Sequence, residues 1–97
     1  MYKLLLFLHK TEEEKVLEHF NDYTLKYLSE ISGEKVEAAT VESSLLLEQK
    51  FSKFCEVSME SKEAWDKRMN SNAGRELNKD LMDFHQFITV IFVDYNK

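Results

Sequence analysis

The residues best suited to acid–base chemistry lie together on one predicted helix. His19 and Tyr23 are four positions apart, and Tyr23 and Tyr27 are again four apart, so the three side chains share a helical face. An imidazole beside phenol groups can exchange protons with a ligand, with His19 as acid or base and Tyr23 as donor. The same spacing fits a core helix whose tyrosine rings pack while their hydroxyl groups reach water. The pattern therefore predicts either a pocket-facing pair or a packing stripe.

Other reactive side chains are sparse. No two of the three histidines, His9, His19 and His85, have the i, i+4 spacing of paired metal ligands, so we expect no metal site and no bound cofactor. Cys55 is the one cysteine and cannot form an intrachain disulfide; its apolar-alternating surroundings predict a buried thiol. Trp65 either packs a helix on the sheet or forms a pocket wall.

Composition excludes several classes of partner. The net charge is −5 and the pI is about 5.2, with no basic cluster, so neither nucleic acid nor an anionic membrane is an expected partner. The apolar run 4–8 is too short for a membrane span or a signal peptide, and the cytoplasm is the expected location. A length of 97 residues with 43% hydrophobic residues predicts a single domain, residues 1–97, with a packed core.

Periodicity and punctuation predict the element order β-α-β-β-α-β. Thr11 and Glu14 have the spacing of a capping box at the first helix start, and Gly33 is placed to end that helix in the left-handed conformation. Residues 45–47 form an apolar connection that either extends the second strand or covers a dimer edge. The predicted elements are strand Tyr2–His9, a helix from 11 to about 32, a strand from 35 to about 42, strand Phe51–Met59, a helix capped by Ser61 and running through 69, a further helical piece to about 84, and strand 87–95.

This order is typical of the ferredoxin-like α+β fold, in which a four-stranded antiparallel sheet carries its helices on one face. The closing strand is apolar on both faces, with Phe87, Ile91 and Val93 on one and Ile88, Val90 and Phe92 on the other. Because the helices cover only one sheet face, we expect a second copy of the chain to cover the other. The sequence therefore predicts a homodimer, and leaves open which strand face meets the partner.

A sequence motif carries a family resemblance. From Met69 to Phe84 the chain reads M-x-S-x-x-G-x-x-x-x-x-D-x-x-x-F, just before the closing strand. This stretch resembles EthD-like proteins of the dimeric α+β barrel superfamily. The resemblance implies two sheets packed face to face as a barrel, with a pocket between each sheet and its helices. Asp80, within the motif, is expected to fix a turn or a helix contact.

The resemblance also bears on the pocket. Proteins of this family often carry a histidine near the end of the first helix that points into the pocket, and Thr24 stands at that position here. A threonine hydroxyl cannot accept a proton near neutral pH as an imidazole can. The expected ligand-pocket residues are His19, Tyr23, Thr24, Tyr27 and Trp65.

Three functions follow as hypotheses. The first is a homodimer that binds a small apolar or aromatic ligand between sheet and helices, accessory to oxidative or polyketide-type metabolism. The second is a cofactor-independent monooxygenase, isomerase or cyclase that uses His19 and Tyr23. The third is a structural homodimer without a ligand. A cavity of several hundred Å³ favours the first two, and a histidine nitrogen about 3 Å from a tyrosine hydroxyl or a ligand proton favours the enzyme.

Overall fold

In the computed structural model, which describes residues 1–46 and 48–95, four strands form one antiparallel sheet with the helices on one of its faces. The elements are β1 (Tyr2–His9), α1 (α-helical Glu14–His19, π-helical Phe20–Thr24 and α-helical Leu25–Ser32), β2 (Ala39–Thr40), β3 (Phe51–Met59), α2 (Lys62–Met69), α3 (Asn72–Asp83) and β4 (Ile88–Asp94). The strand order is β2-β3-β1-β4. The predicted ferredoxin-like α+β fold is confirmed.

Small polar residues set most helix ends where the sequence places them. The Ser61 Oγ accepts a hydrogen bond from the Ala64 N–H at 3.1 Å, and the Ser71 Oγ accepts one from the Gly74 N–H at 3.1 Å. These bonds satisfy amide donors that the first turns of α2 and α3 leave without an intrahelical partner. At the other end of α1, Gly33 has the predicted left-handed conformation, with φ of 76°.

The start of α1 differs from the predicted capping box. Glu13, not Thr11, is the N-cap residue, and its side chain makes no capping hydrogen bond. The Thr11 hydroxyl accepts a hydrogen bond from the Glu13 N–H at 3.1 Å. A threonine that binds an amide two residues ahead forms a local turn in place of a helix cap. The helix therefore begins later, at Glu14.

The edge and closing strands are shorter than predicted. β2 contains only Ala39–Thr40, and β4 begins at Ile88 because His85–Phe87 forms a 3₁₀ turn. In the connection after β2, Leu45 is 95% exposed and Leu46 is 88% exposed, so these two leucines do not extend the strand. Residue 47, the third of that apolar connection, lies outside the described residues.

The strand register assigns the two faces of the sheet. Every second residue of β1 is buried against the helices: Leu4, Leu6 and Leu8 are at most 1% exposed. Their partners across the β1–β4 ladder are Phe92, Val90 and Ile88. Paired residues point to the same side of a sheet, so Ile88, Val90 and Phe92 face the helices. Ile91 and Val93 point to the opposite side.

The core fills the layer between the sheet and the helices. Phe20 and Leu28 of α1, Trp65 of α2 and Leu77 of α3 are each at most 6% exposed. Strand β3 buries every second side chain of its second half in the same layer: Cys55, Val57 and Met59. None of the helices in the described ranges is long and apolar enough to cross a membrane.

The second sheet face is open in the single chain and carries a group of aromatic and aliphatic side chains. Phe7 packs against Phe51 and Phe54, with ring centroids 4.7 and 5.0 Å apart, and Ile91 is 45% exposed. The His9 Nε2 lies 2.7 Å from the Thr89 hydroxyl oxygen. We call this surface the open face; its apolar residues are Leu5, Phe7, Phe51, Phe54, Ile91 and Val93, and Thr89 and the ion-paired Lys3 and Glu56 lie on the same side.

Candidate functional site

A turn of π-helix in α1 aims two polar side chains at one buried carboxylate. The hydrogen bonds of a π-helix run from residue i to i+5, a geometry that is frequent at functional sites. His19 stands just before the π-helical Phe20–Thr24, and Thr24 ends it. Both side chains reach Asp80 of α3: the His19 Nε2 hydrogen-bonds the Asp80 Oδ1, and the Thr24 hydroxyl donates to the Asp80 Oδ2 at 2.7 Å.

The Asp80 carboxylate fixes the tautomer of His19. Asp80 is 6% exposed, and an ionised carboxylate can only accept hydrogen bonds. The His19 Nε2 therefore carries a hydrogen, and in the neutral ring the Nδ1 keeps the basic lone pair. A carboxylate that orients an imidazole in this way is a recurring feature of general bases. His19 and Asp80 therefore have the arrangement of an acid–base pair.

Two aromatic rings stack on the imidazole of His19. The His19 ring stacks on Phe84, with centroids 3.9 Å apart, and on Tyr23, with centroids 5.1 Å apart. Tyr23 is 50% exposed. The contact between His19 and Tyr23 is thus ring stacking, and the hydrogen bond of the imidazole goes to Asp80. Among the described residues, no hydrogen bond joins the His19 ring to a tyrosine hydroxyl, which is the contact that would favour an enzyme.

Four of the five fixed residues of the sequence motif have a clear structural role. Ser71 caps α3, and Gly74 lets that helix pass close to the end of α2, because a Cβ there would lie 2.3 Å from the Met69 carbonyl oxygen. Asp80 binds His19 and Thr24, and Phe84 stacks on His19. Together they hold α3 between α2 and α1. The expected helix contact of Asp80 is present in the structure.

Adding a methyl group at Gly74 is expected to destabilise the fold by about 3 kcal/mol, at the upper end of ordinary overpacking, because the clash is with backbone. Gly74→Ala forces α2 and α3 apart, since the Met69 backbone atoms are the obstacle. Urea denaturation measures the loss. The matched control is Glu76→Ala on the exposed side of the same helix, which should change stability by less than about 0.5 kcal/mol; equal effects would refute the close-approach argument.

A groove of about 390 Å³ lies beside the helix-facing side of β4. Its floor and walls are mainly apolar side chains of α2, α3 and β4, and Trp65 meets Phe92 edge-on with ring centroids 5.6 Å apart. Its polar side chains are Asn78 and His85, which are both exposed. The lining residues are Trp65, Met69, Asn78, Leu81, Met82, His85, Ile88, Val90 and Phe92.

Of the five residues expected in a pocket, Trp65 lines this groove. The other four lie on α1, and the polar pair His19 and Thr24 turns toward Asp80. Tyr27 is half-buried. Partial burial, followed by the nearby carboxylates of Glu76 and Asp80, raises the pKa of the Tyr27 hydroxyl. That hydroxyl therefore stays protonated near neutral pH.

The sequence did not single out the α3 side of the groove, although it carries a signal. Asn78, Leu81 and Met82 have the spacing i, i+3, i+4 on α3, which places three side chains on one helical stripe, and His85 follows in the 3₁₀ turn. The stripe that faces the core, with Leu77 and Asp80 buried, has the same period. Helix α3 therefore presents one face to the core and another to the groove. The core-facing residues dominate its hydrophobic pattern.

Two classes of chemistry find no support in the described residues. No group of three histidine, cysteine, aspartate or glutamate side chains converges on a point within residues 1–46 and 48–95. Burial raises the pKa of the Cys55 thiol to about 12. The thiolate is the reactive form of cysteine, so Cys55 is an inert core residue at neutral pH.

Solved structures share this architecture of an antiparallel sheet with helices on one face. An EthD family protein from Bacillus halodurans has a TM-score of 0.79 at 23% identity, with 97% of each chain covered. An EthD-like protein from Ralstonia eutropha has a TM-score of 0.61 at 14% identity, covering 96% of this chain and 89% of that one. HapK from Hahella chejuensis has a TM-score of 0.61 at 11% identity, covering 97% and 91%.

The resemblance to EthD-like proteins, predicted from the motif between Met69 and Phe84, is confirmed by these structures. At such identities the likeness shows the fold of the chain. No protein-family model and no curated protein sequence matches it.

Proposed function

We propose that this chain is an EthD-like protein that acts as a cytoplasmic homodimer and binds a small aromatic or largely apolar ligand. The ligand occupies the groove beside β4, and the protein is accessory to oxidative or polyketide-type metabolism. The observation that carries the proposal is the groove itself, an apolar space of about 390 Å³ with Trp65 in its wall. Its volume falls within the range of about 300–1,000 Å³ typical of small-molecule sites.

The chemistry of the groove favours binding over catalysis. Its walls are hydrocarbon and aromatic, including the indole of Trp65, and its polar side chains are the exposed Asn78 and His85. The oriented imidazole of His19 is outside the residues that line the groove. An apolar body is stabilised there by about 25 cal/mol for each Å² of apolar surface removed from water.

The open face supports the homodimer. Phe7, Phe54 and Ile91 leave an apolar surface on the side of the sheet that the helices do not cover. Soluble monomers rarely expose an apolar patch beyond a few hundred Å². A second chain that presents the same face would cover it with two-fold symmetry.

Blocking the groove tests the ligand site. Calorimetry with 2-methoxynaphthalene should detect binding to the wild-type protein, and Leu81→Trp should weaken that binding at least about tenfold, or 1.4 kcal/mol, because the indole occupies the groove. The matched control is Leu17→Trp, at a half-buried leucine outside the groove, which should bind as the wild type does. Equal weakening by both variants would argue against the groove, and no binding to any of the three would favour a structural homodimer.

The pairing of His19 with buried Asp80 favours a second candidate, a cofactor-independent monooxygenase, isomerase or cyclase that uses His19 and Tyr23. Asp80 gives His19 the orientation that a general base needs. Turnover of a lactone or polyketide that collapses in both His19→Ala and Asp80→Asn, while His85→Ala retains it, would establish this alternative over the accessory role.

A further inference from the structure

The lip of the groove holds His85 in one defined tautomer. The His85 Nδ1 lies 2.9 Å from the backbone carbonyl oxygen of Met82. A carbonyl oxygen can only accept, so the Nδ1 must carry the hydrogen and donate it. The other ring nitrogen of a neutral imidazole is then a bare acceptor. His85 is one of the residues that line the groove, and the free nitrogen of its neutral ring is an acceptor.

The wall of the groove adds a hydrogen-bond donor. Trp65 is 6% exposed, and its indole N–H can only donate. None of the hydrogen bonds among the described residues involves this nitrogen. In those same residues, every fully buried side-chain nitrogen or oxygen has a hydrogen-bond partner. The indole N–H is therefore not fully enclosed, and Trp65 is one of the residues that line the groove.

We infer that the ligand is an aromatic molecule with a hydroxyl group, and that His85 selects it by accepting the hydroxyl hydrogen at its Nε2. This inference rests on the proposed function, because it concerns the same groove. A hydroxyl group supplies the donor that Nε2 requires, and a ligand oxygen can accept from the Trp65 indole. Ethers and hydrocarbons have no donor for Nε2. A carboxylate would be repelled, because its oxygen lone pairs would face the imidazole lone pair and the chain has a net charge of −5.

The site thus divides recognition between two kinds of contact. The apolar walls hold the aromatic body without regard to its substituents, whereas His85 distinguishes ligands that differ only in the hydroxyl hydrogen. Because a net hydrogen bond contributes about 0.5–1.5 kcal/mol, the expected discrimination is about two- to twelvefold. His85 is in this sense a specificity residue and not part of a reaction.

The test compares 2-naphthol with 2-methoxynaphthalene, two probes that share a ring system and differ in the O–H donor. Calorimetry at pH 8 gives the ratio of the two affinities for each variant. In the wild-type protein this preference for the naphthol should be about two- to twelvefold greater than in His85→Phe, since phenylalanine keeps an aromatic ring and removes the acceptor. His85→Gln, whose amide oxygen can accept, should recover part of the preference.

Each result has a separate meaning. If both probes bind and their affinity ratio is the same in the wild type and His85→Phe, the selection by His85 is refuted while the ligand site stands. If 2-naphthoate binds more tightly than 2-naphthol, the inferred hydroxyl recognition is also refuted. If neither uncharged probe binds the wild-type protein, the proposed ligand site itself fails.

Discussion

Replacing Phe20 by alanine should lower the free energy of unfolding by about 3–5 kcal/mol, which is the usual cost for a buried phenylalanine. Phe20 is 2% exposed and belongs to the core between α1 and the sheet. The substitution removes a ring from apolar surroundings and leaves a cavity beside the π-helical turn that it begins. Small domains are stable by about 5–15 kcal/mol in total, so the loss is a large share.

Urea denaturation followed by circular dichroism measures this effect. Asn21→Ala is the matched control, because Asn21 follows Phe20 in the same turn and is exposed; it should stay within about 0.5 kcal/mol of the wild type. A loss below about 1 kcal/mol for Phe20→Ala would mean that α1 does not anchor the core.

The second large effect concerns the proposed homodimer. Ile91→Glu should convert it to dissociated or aggregating chains that keep their secondary structure, because Ile91 lies on the open face and is 45% exposed in the single chain. A glutamate there costs the isolated chain little. In an isologous interface of about 800 Å² per chain, the same substitution would bury two uncompensated charges.

The control for this experiment is three residues away on the same strand. Ile88 faces the helices across from Leu8 and packs on the buried core. Ile88→Glu should therefore unfold the chain itself, with loss of its circular dichroism signal. Light scattering together with circular dichroism separates the two outcomes. A wild-type molar mass of a monomer at micromolar concentration would contradict the dimer.

Local signals in the sequence predict most of the fold. Ser61 caps α2 and Gly33 ends α1 as expected, since capping and left-handed glycine depend on neighbouring residues alone. Strand Phe51–Met59 has the predicted bounds because its alternation is strong. The first helix start was wrong, since Thr11 has two local hydrogen-bonding choices and takes the turn. β2 is short because a weakly alternating edge segment has little to bury.

The candidate site depends on contacts that no local pattern carries. Thr24 and Asp80 are 56 positions apart in sequence, so the sequence could suggest that each is polar and helical but not that they bind each other. The π-helical turn that aligns His19 with Thr24 likewise has no recognised sequence signal. Trp65 was expected either in the packing or in a pocket wall, and its side chain contributes to both.

The central claim is that the groove beside β4 is the ligand site, and amide chemical shifts of the labelled protein test it most directly. Titration with 2-methoxynaphthalene should shift the signals of Leu81 and Val90 and the indole N–H of Trp65, with little change at Phe7, Phe54 or His19. Shifts that cluster on the open face or around His19, or the absence of any shift at saturating probe, would contradict the account.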